Sequence, residues 1–247
     1  MARINLVMQS KGGVGKSVVA ALLAQFLRDA GSGLPICIDT DPLNTTFADY
    51  AAFGAHRFEL LNTTRVIDPR NFDRLFLKIN DVLEDQEVVI DSGATTFIAL
   101  TEYLTSGDVP AVLVNCGHEF VVHIVVTGGQ GQDKTLGSLA YIVETYKNAR
   151  IVVWINPYHG PLQHQGQGFR QMRIYQNNRS RLRSVVELPD MSGLFKADLE
   201  TMFANKLTFE EAIHDPKRDD FVRQRLSIAS RKFYLAIEVG LAGEEDL

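Results

Sequence analysis

Cysteine is scarce: two residues, Cys37 and Cys116, in a chain of 247. They are too few and too far apart for a disulfide framework, and each sits in an apolar run, so buried thiols are expected. Long apolar stretches are missing too. No run approaches the ~18 residues that a membrane-spanning helix requires. Met1-Ala2-Arg3 passes straight into the apolar run Ile4 to Met8, which is not the layout of a secretory leader, so a cytoplasmic setting is expected. Internal repeats, low-complexity blocks and flexible linkers are absent as well, which favours one domain over residues 1–247.

What is present is ordinary for a globular chain: 45% hydrophobic and 22% charged residues, with a net charge of −5. The charge is uneven. Residues 1–168 hold 12 basic and 17 acidic groups, and residues 169–232 hold 13 basic and 9 acidic groups. Arg170, Arg173, Arg179, Arg181 and Arg183 make the densest basic stretch, either a solvated helix face or a DNA-phosphate contact.

Apolar runs rich in β-branched residues alternate with helical patterns. The runs are Ile4–Met8, Pro35–Ile38, Glu87–Ile90, Val109–Asn115, Val121–Thr127, Ile151–Ile155 and Ser184–Leu188. Most are continuous rather than alternating, as in strands covered on both faces of a parallel sheet. The helical candidates are Lys16–Asp29, Asn71–Leu83, Thr96–Thr105, Lys134–Lys147 and Gly193–Ala204. The expected class is α/β, a three-layer, doubly wound, mostly parallel sheet. A helical portion at about 192–243 should follow it. There Thr208-Phe209-Glu210-Glu211 reads as a capping box, and Pro216 is expected to open a helix to about Gly240. His118–Thr127 reads either as a further strand or as the start of a helix. Val126-Thr127-Gly128-Gly129-Gln130 reads either as a tight turn or as a loop touching nucleotide or a dimer face.

One motif carries specific chemistry. Lys11-Gly12-Gly13-Val14-Gly15-Lys16-Ser17 leaves the run Ile4–Met8 and opens the first helical pattern. Glycines there let backbone amides converge on phosphate oxygens at a helix N-terminus. Ser10 stands where the usual first glycine is expected, but Gly15-Lys16-Ser17 fills the last three positions of a P-loop. Lys16 would then bridge the β- and γ-phosphates, and the Ser17 hydroxyl would bind Mg²⁺. Gly12, Gly13, Val14, Gly15 and Val18 complete the expected nucleotide contacts. Two carboxylate sites end strands where open α/β sheets bind ligands: Asp39-Thr40-Asp41-Pro42 and Val88-Val89-Ile90-Asp91-Ser92-Gly93. The second has the form of a Walker B strand, with Asp91 as a candidate for Mg²⁺.

The paired lysines of this loop resemble the deviant Walker A ATPases, the family of MinD, ParA and the nitrogenase iron protein. The resemblance implies a P-loop ATPase fold, and a homodimer with ATP sandwiched between its subunits. Within it, Lys11 reaches the partner's phosphates as an arginine finger does, a contribution of about 10³–10⁵ in rate. It also implies that Asp41 orients the attacking water while Asp39 supports Mg²⁺ or switch geometry, with the reverse division open. Asn156, in Trp154-Ile155-Asn156-Pro157, matches the adenine-reading position, and Pro189, in Leu188-Pro189-Asp190, the segment lying against the base. A shared iron–sulfur cluster is disfavoured by the placement of the two cysteines. Zinc is disfavoured as well, since His118 and His123 are five apart rather than four.

Later segments narrow the likeness. Cys37-Ile38-Asp39-Thr40-Asp41-Pro42, Val125 to Gln130, Val153 to Tyr158 and Leu207-Thr208-Phe209 resemble the TraL-type conjugal transfer proteins. That resemblance implies a cytoplasmic ATPase in plasmid DNA transfer, slow and stimulated by partners, either conjugation-machinery proteins or DNA. A metabolic ATP-dependent ligase or kinase of the dethiobiotin-synthetase type is the alternative for the same P-loop.

Overall fold

Along β1 (Arg3–Met8) successive side chains point to opposite faces, yet nearly all are buried, because both faces are covered. Ile4, Leu6 and Met8 enter one hydrophobic core and Val7 enters another. The computed structural model of the chain describes residues 1–81, 85–147, 149–182 and 184–243. After β1 come α1 (Lys16–Leu27), β2 (Ile36–Asp39), β3 (His56–Arg57), α2 (Pro69–Asn80), β4 (Glu87–Asp91), α3 (Phe97–Ser106) and α4 (Val109–Asn115). Then follow β5 (Glu119–Thr127), α5 (Gln132–Thr145), β6 (Arg150–Asn156), a small hairpin of β7 (Gln163–His164) and β8 (Gln167–Gly168), and α6 (Arg173–Gln176). The chain continues through β9 (Ser184–Glu187), α7 (Gly193–Ala204), α8 (Phe209–His214) and α9 (Asp220–Ala242).

Seven strands form one sheet in the order β3-β2-β4-β1-β5-β6-β9. Every pairing within it is parallel. Buried residues of α2 to α6 share the core on one face of the sheet. Those of α1 and α7 to α9 share the core on the other. The expected three layers are therefore present. β1 is central, flanked by β4 and β5, so the loop after it opens at the C-terminal edge among the ends of β2, β4, β5 and β6.

Three expectations need correction. Val109–Asn115 is a helix, not a strand. Pro110 is tolerated in its first turn, and Val109 and Leu113, one turn apart, face the core while Val112 and Val114 are each 53% exposed. The strand at that point of the sheet is instead β5, which takes in nearly all of the ambiguous segment His118–Thr127. Cys116, at the end of α4, is consequently exposed, whereas Cys37 is buried, which pushes its thiol up to about 12. Finally, the last helix starts at Asp220 rather than Pro216, where the Asp219 carboxylate accepts from the Val222 amide at 2.9 Å. The capping box forms as expected, Thr208 accepting from the Glu211 amide and Glu211 from that of Thr208. The end of the helix expected over Asn71–Leu83, together with Arg183 and the acids at 244–246, lies outside the described residues.

Among the described residues no single helix is long and apolar enough to cross a membrane. The bent pair 94–106 and 109–115, at 57° to each other, reaches that length only jointly. Both of its helices contribute buried side chains to the core.

Candidate functional site

Gln9, fully buried, follows β1, and its carboxamide starts the loop. Nε2 donates to the Val125 carbonyl at 2.7 Å, and Oε1 accepts from the Ser10 amide at 2.8 Å. Ser10, in the first-glycine position, has its hydroxyl 2.6 Å from that of Ser138 on α5. The loop is thus pinned to β5 and α5 before its glycines begin. Gly13 and Gly15 then take left-handed backbone angles, φ +76° and +95°, which side chains disfavour. Gly15 caps α1, so the loop amides and the helix N-terminus face the same region. Nothing near Gln9 in the sequence marks it, because the strand it is pinned to is reached at Val125, 116 residues away.

Lys16, the first residue of α1, is only 8% exposed. Burial lowers its pKa, Asp91 and Asp41 pull it back, and Lys11 adds to the lowering. A cation held this way is poorly satisfied without an anionic ligand.

Strand register brings the carboxylates to it. Asp39, the last residue of β2, pairs with Asp91, the last of β4, and Asp91 is also the partner of Val7 on β1. Asp91 is buried, and its Oδ1 has no hydrogen-bond partner among the described residues. Its carboxyl is pushed up to about 7, mainly by burial, with a hydrogen bond from Ser17 opposing the rise. Asp39 is also raised, mainly by burial, but both of its oxygens are engaged. Oδ1 accepts from the Asp41 amide at 2.9 Å, and Oδ2 from the amides of Phe47 and Ala48 at 3.0 and 2.9 Å. Asp39 therefore clamps the segment that follows it. Asp41 accepts from the Leu43 and Asn44 amides through Oδ1. Its carboxylate lies against Gly93, where an added Cβ would be 2.8 Å from Asp41 Cγ.

Two cavities adjoin the loop. One of about 400 Å³ is lined by Gly13, Lys16, Ser17, Asp41, Thr46 and Thr95, among others, and has the groups and size for a polyphosphate chain. The other, about 470 Å³, continues past Gly15 and Val18 to Asn156, Leu188, Pro189 and Phe203, and is largely apolar, as a base requires. Asn156 and Pro189 are thus both brought to the second cavity. Asn156 is already engaged there: Nδ2 donates to the Val14 carbonyl at 2.9 Å, and Oδ1 accepts from the Tyr158 amide at 3.1 Å. One hydrogen and one lone pair of its carboxamide remain. At the same cavity the Lys196 ammonium sits 4.4 Å above the Tyr158 ring, whose hydroxyl donates to Glu200 at 2.9 Å.

Lys11 lies at the rim of its own loop, Nζ donating to the Gly12 carbonyl at 3.3 Å. The basic stretch is not one helix face, since α6 spans only Arg173–Gln176. Within it, Arg170 pairs with Glu187 at 3.4 Å, and Arg181 donates to the carbonyls of Val143 and Tyr146. His123 is inside the sheet. The Trp154 indole donates to its Nδ1 at 2.8 Å, which leaves Nε2–H to donate to Asn5 Oδ1 at 3.0 Å, so neither nitrogen offers a lone pair to zinc.

No protein-family model matches the chain. Two curated proteins of Escherichia coli, each called Protein TraL, are 42% and 40% identical to it over 236 and 241 residues. The alignments cover 95% and 96% of this chain, and 96% and 98% of those proteins. The solved structure of the MinD cell division protein of Aquifex aeolicus matches 99% of this chain and 98% of its own, with a TM-score of 0.53. At 14% identity that likeness is one of fold.

Proposed function

The chain belongs to the TraL family, and on that premise we propose that it is a P-loop ATPase acting as an ATP-dependent dimeric switch in conjugative transfer of plasmid DNA. The observation that carries the nucleotide reading is the convergence at one cavity. The glycine-rich loop, the buried Lys16, Ser17 and Asp41 all line it, and Asp91, at the end of β4, lies behind it, bonded by Ser17 and within the field of Lys16. MinD supplies the fold-level precedent.

Mg²⁺ fits the donors present. Asp91 Oδ1 is a buried acceptor without a partner among the described residues, and Ser17 stands beside it. Mg²⁺ is commonly held by one or two protein oxygens together with water and phosphate oxygens. Ser17 would hold it directly and Asp91 through water; when bound, it neutralises charge on the β- and γ-phosphate oxygens. Asp39, with both oxygens on backbone amides, shapes the loop and leaves water orientation to Asp41. Lys16 draws charge from the transferring phosphoryl group, and its low-dielectric setting strengthens that attraction. Lys11 reaches across to the phosphates of a second chain, with ATP enclosed between the two. The adenine lies in the apolar cavity over Pro189, with Asn156 at its wall. Hydrolysis is slow, rises with a conjugation-machinery partner or DNA, and takes place in the cytoplasm.

Sedimentation with ADP, ATP and a slowly hydrolysed ATP analogue tests the switch: the analogue should give dimers and ADP monomers. Lys16→Ala should abolish ATP binding. Lys11→Ala should keep binding but lose both ATP-dependent dimerisation and turnover. A monomeric Lys11→Ala protein with undiminished ATPase activity would overturn the action in trans.

A further inference from the structure

The segment Thr127-Gly128-Gly129-Gln130 is not absorbed by the nucleotide chemistry above, and its packing gives it a task. A Cβ built on Gly128 would lie 2.2 Å from the Pro161 carbonyl oxygen and 2.5 Å from that of Gly160. One on Gly129, at φ +63°, would lie 2.5 Å from the His159 carbonyl oxygen. Only a pair of glycines lets this turn press its backbone against the loop at 157–161. Thr127 adds a bond from its hydroxyl to the Asn156 carbonyl at 2.9 Å.

The loop so pressed touches the P-loop at two successive carbonyls. Asn156 Nδ2 donates to Val14 O at 2.9 Å, and His159 Nε2 lies 3.0 Å from Gly13 O. A carbonyl can only accept, so the imidazole is the donor through Nε2–H. In a trans peptide the C=O and the following N–H point in opposite directions, and no peptide bond among the described residues is cis. Holding the carbonyls of Gly13 and Val14 toward the loop therefore turns the amides of Val14 and Gly15 the other way. Glycine is needed at the contact itself as well, because a Cβ at Gly15 would be 2.6 Å from Asn156 Nδ2.

We infer that Asn156 and His159 are positioning residues for phosphate binding: a two-point latch, buttressed by Gly128 and Gly129, that orients the Val14 and Gly15 amides toward the polyphosphate. The inference rests on the nucleotide reading proposed above, and it deepens that reading. The latch acts on the phosphate end of the ligand, so its loss is felt whether or not a base is attached.

The test compares ATP with inorganic tripolyphosphate, which has the phosphates and no base, by calorimetry on the full chain. His159→Ala should weaken both ligands by the same factor, about three- to tenfold for one lost hydrogen bond. His159→Gln, which restores a donor, should recover most of the loss. Gly128→Ala should reproduce the weakening from a position that touches no ligand. Turnover at saturating ATP should change far less than KM. Undiminished affinity for tripolyphosphate in His159→Ala and Gly128→Ala, including the case where only ATP binds more weakly, overturns the latch. Wild-type protein that binds neither ligand overturns the nucleotide reading instead. The latch is then judged without ligand: the amide resonances of Val14 and Gly15 should shift in His159→Ala, and unmoved resonances overturn it.

Discussion

Gly93 shows how closely single atoms are set in this site. Its missing side chain is the space that the Asp41 carboxylate occupies. Gly93→Ala should displace Asp41 by about an ångström and lower ATP turnover by up to about a hundredfold. ATP affinity, governed by Lys16 and the loop amides, should stay within about threefold of wild type; steady-state kinetics and calorimetry separate the two. His123 gives a prediction in pH. Burial, followed by the charges of Arg150 and Arg3, lowers its pKa from 6.5 to about 3 in the fold. The unfolded chain takes up that proton near 6.5 and the fold refuses it. Stability is therefore fully present above about pH 6.5 and lost as pH falls toward 3, by at most about 1.4 kcal/mol per pH unit from this group. Urea midpoints at pH 7 and pH 5 should diverge, and less so in His123→Gln. At this scale the sequence was informative wherever spacing carries the chemistry, as in Gly15-Lys16-Ser17 and Asp91-Ser92-Gly93. It was silent for Gln9 and Glu200, and it gave His159 only as a solvated loop histidine, because their bonds run to partners far along the chain.

Among the elements, the strands β1, β2, β4, β6 and β9 were legible because double-sided burial leaves an unbroken apolar run. α4 was not legible for the same reason. A run of six apolar residues, three of them valine, has the same composition in a strand or a buried helix, and only the packing of Val109 and Leu113 decides. That difference carries a chemical test. Cys116 should react with a thiol reagent in the native protein, while Cys37, buried with its thiol pushed up to about 12, should react only on unfolding. α9 depends on a different detail, the approach of Gly240 to β9, where a Cβ would be 2.6 Å from Val186 Cα. Helix propensity alone favours Gly240→Ala by about 1 kcal/mol. The collision is with backbone that cannot rotate away, so the substitution should destabilise the chain by about 1–3 kcal/mol in urea melts.

For the molecule as a whole, parallel wiring joins segments distant in sequence. The fold class could be read from the alternation of runs and helices, but the order β3-β2-β4-β1-β5-β6-β9 could not, because nothing local in a buried apolar strand names its neighbours. The proposed dimer belongs to this scale too, since action of Lys11 in trans requires a second chain. The contact between Asn156 and Val14, 142 residues apart, has a kinetic consequence. Non-local contacts form late in folding, after the cost of closing long loops has been met. A chain made from its N-terminus has its phosphate-binding segment long before the strand that holds that segment in shape. Competence to bind ATP should therefore lag behind the recovery of helical signal when the denatured protein is diluted into buffer. Stopped-flow measurement with a fluorescent nucleotide would show the delay, and ATP would then be gripped only by a chain that has finished folding.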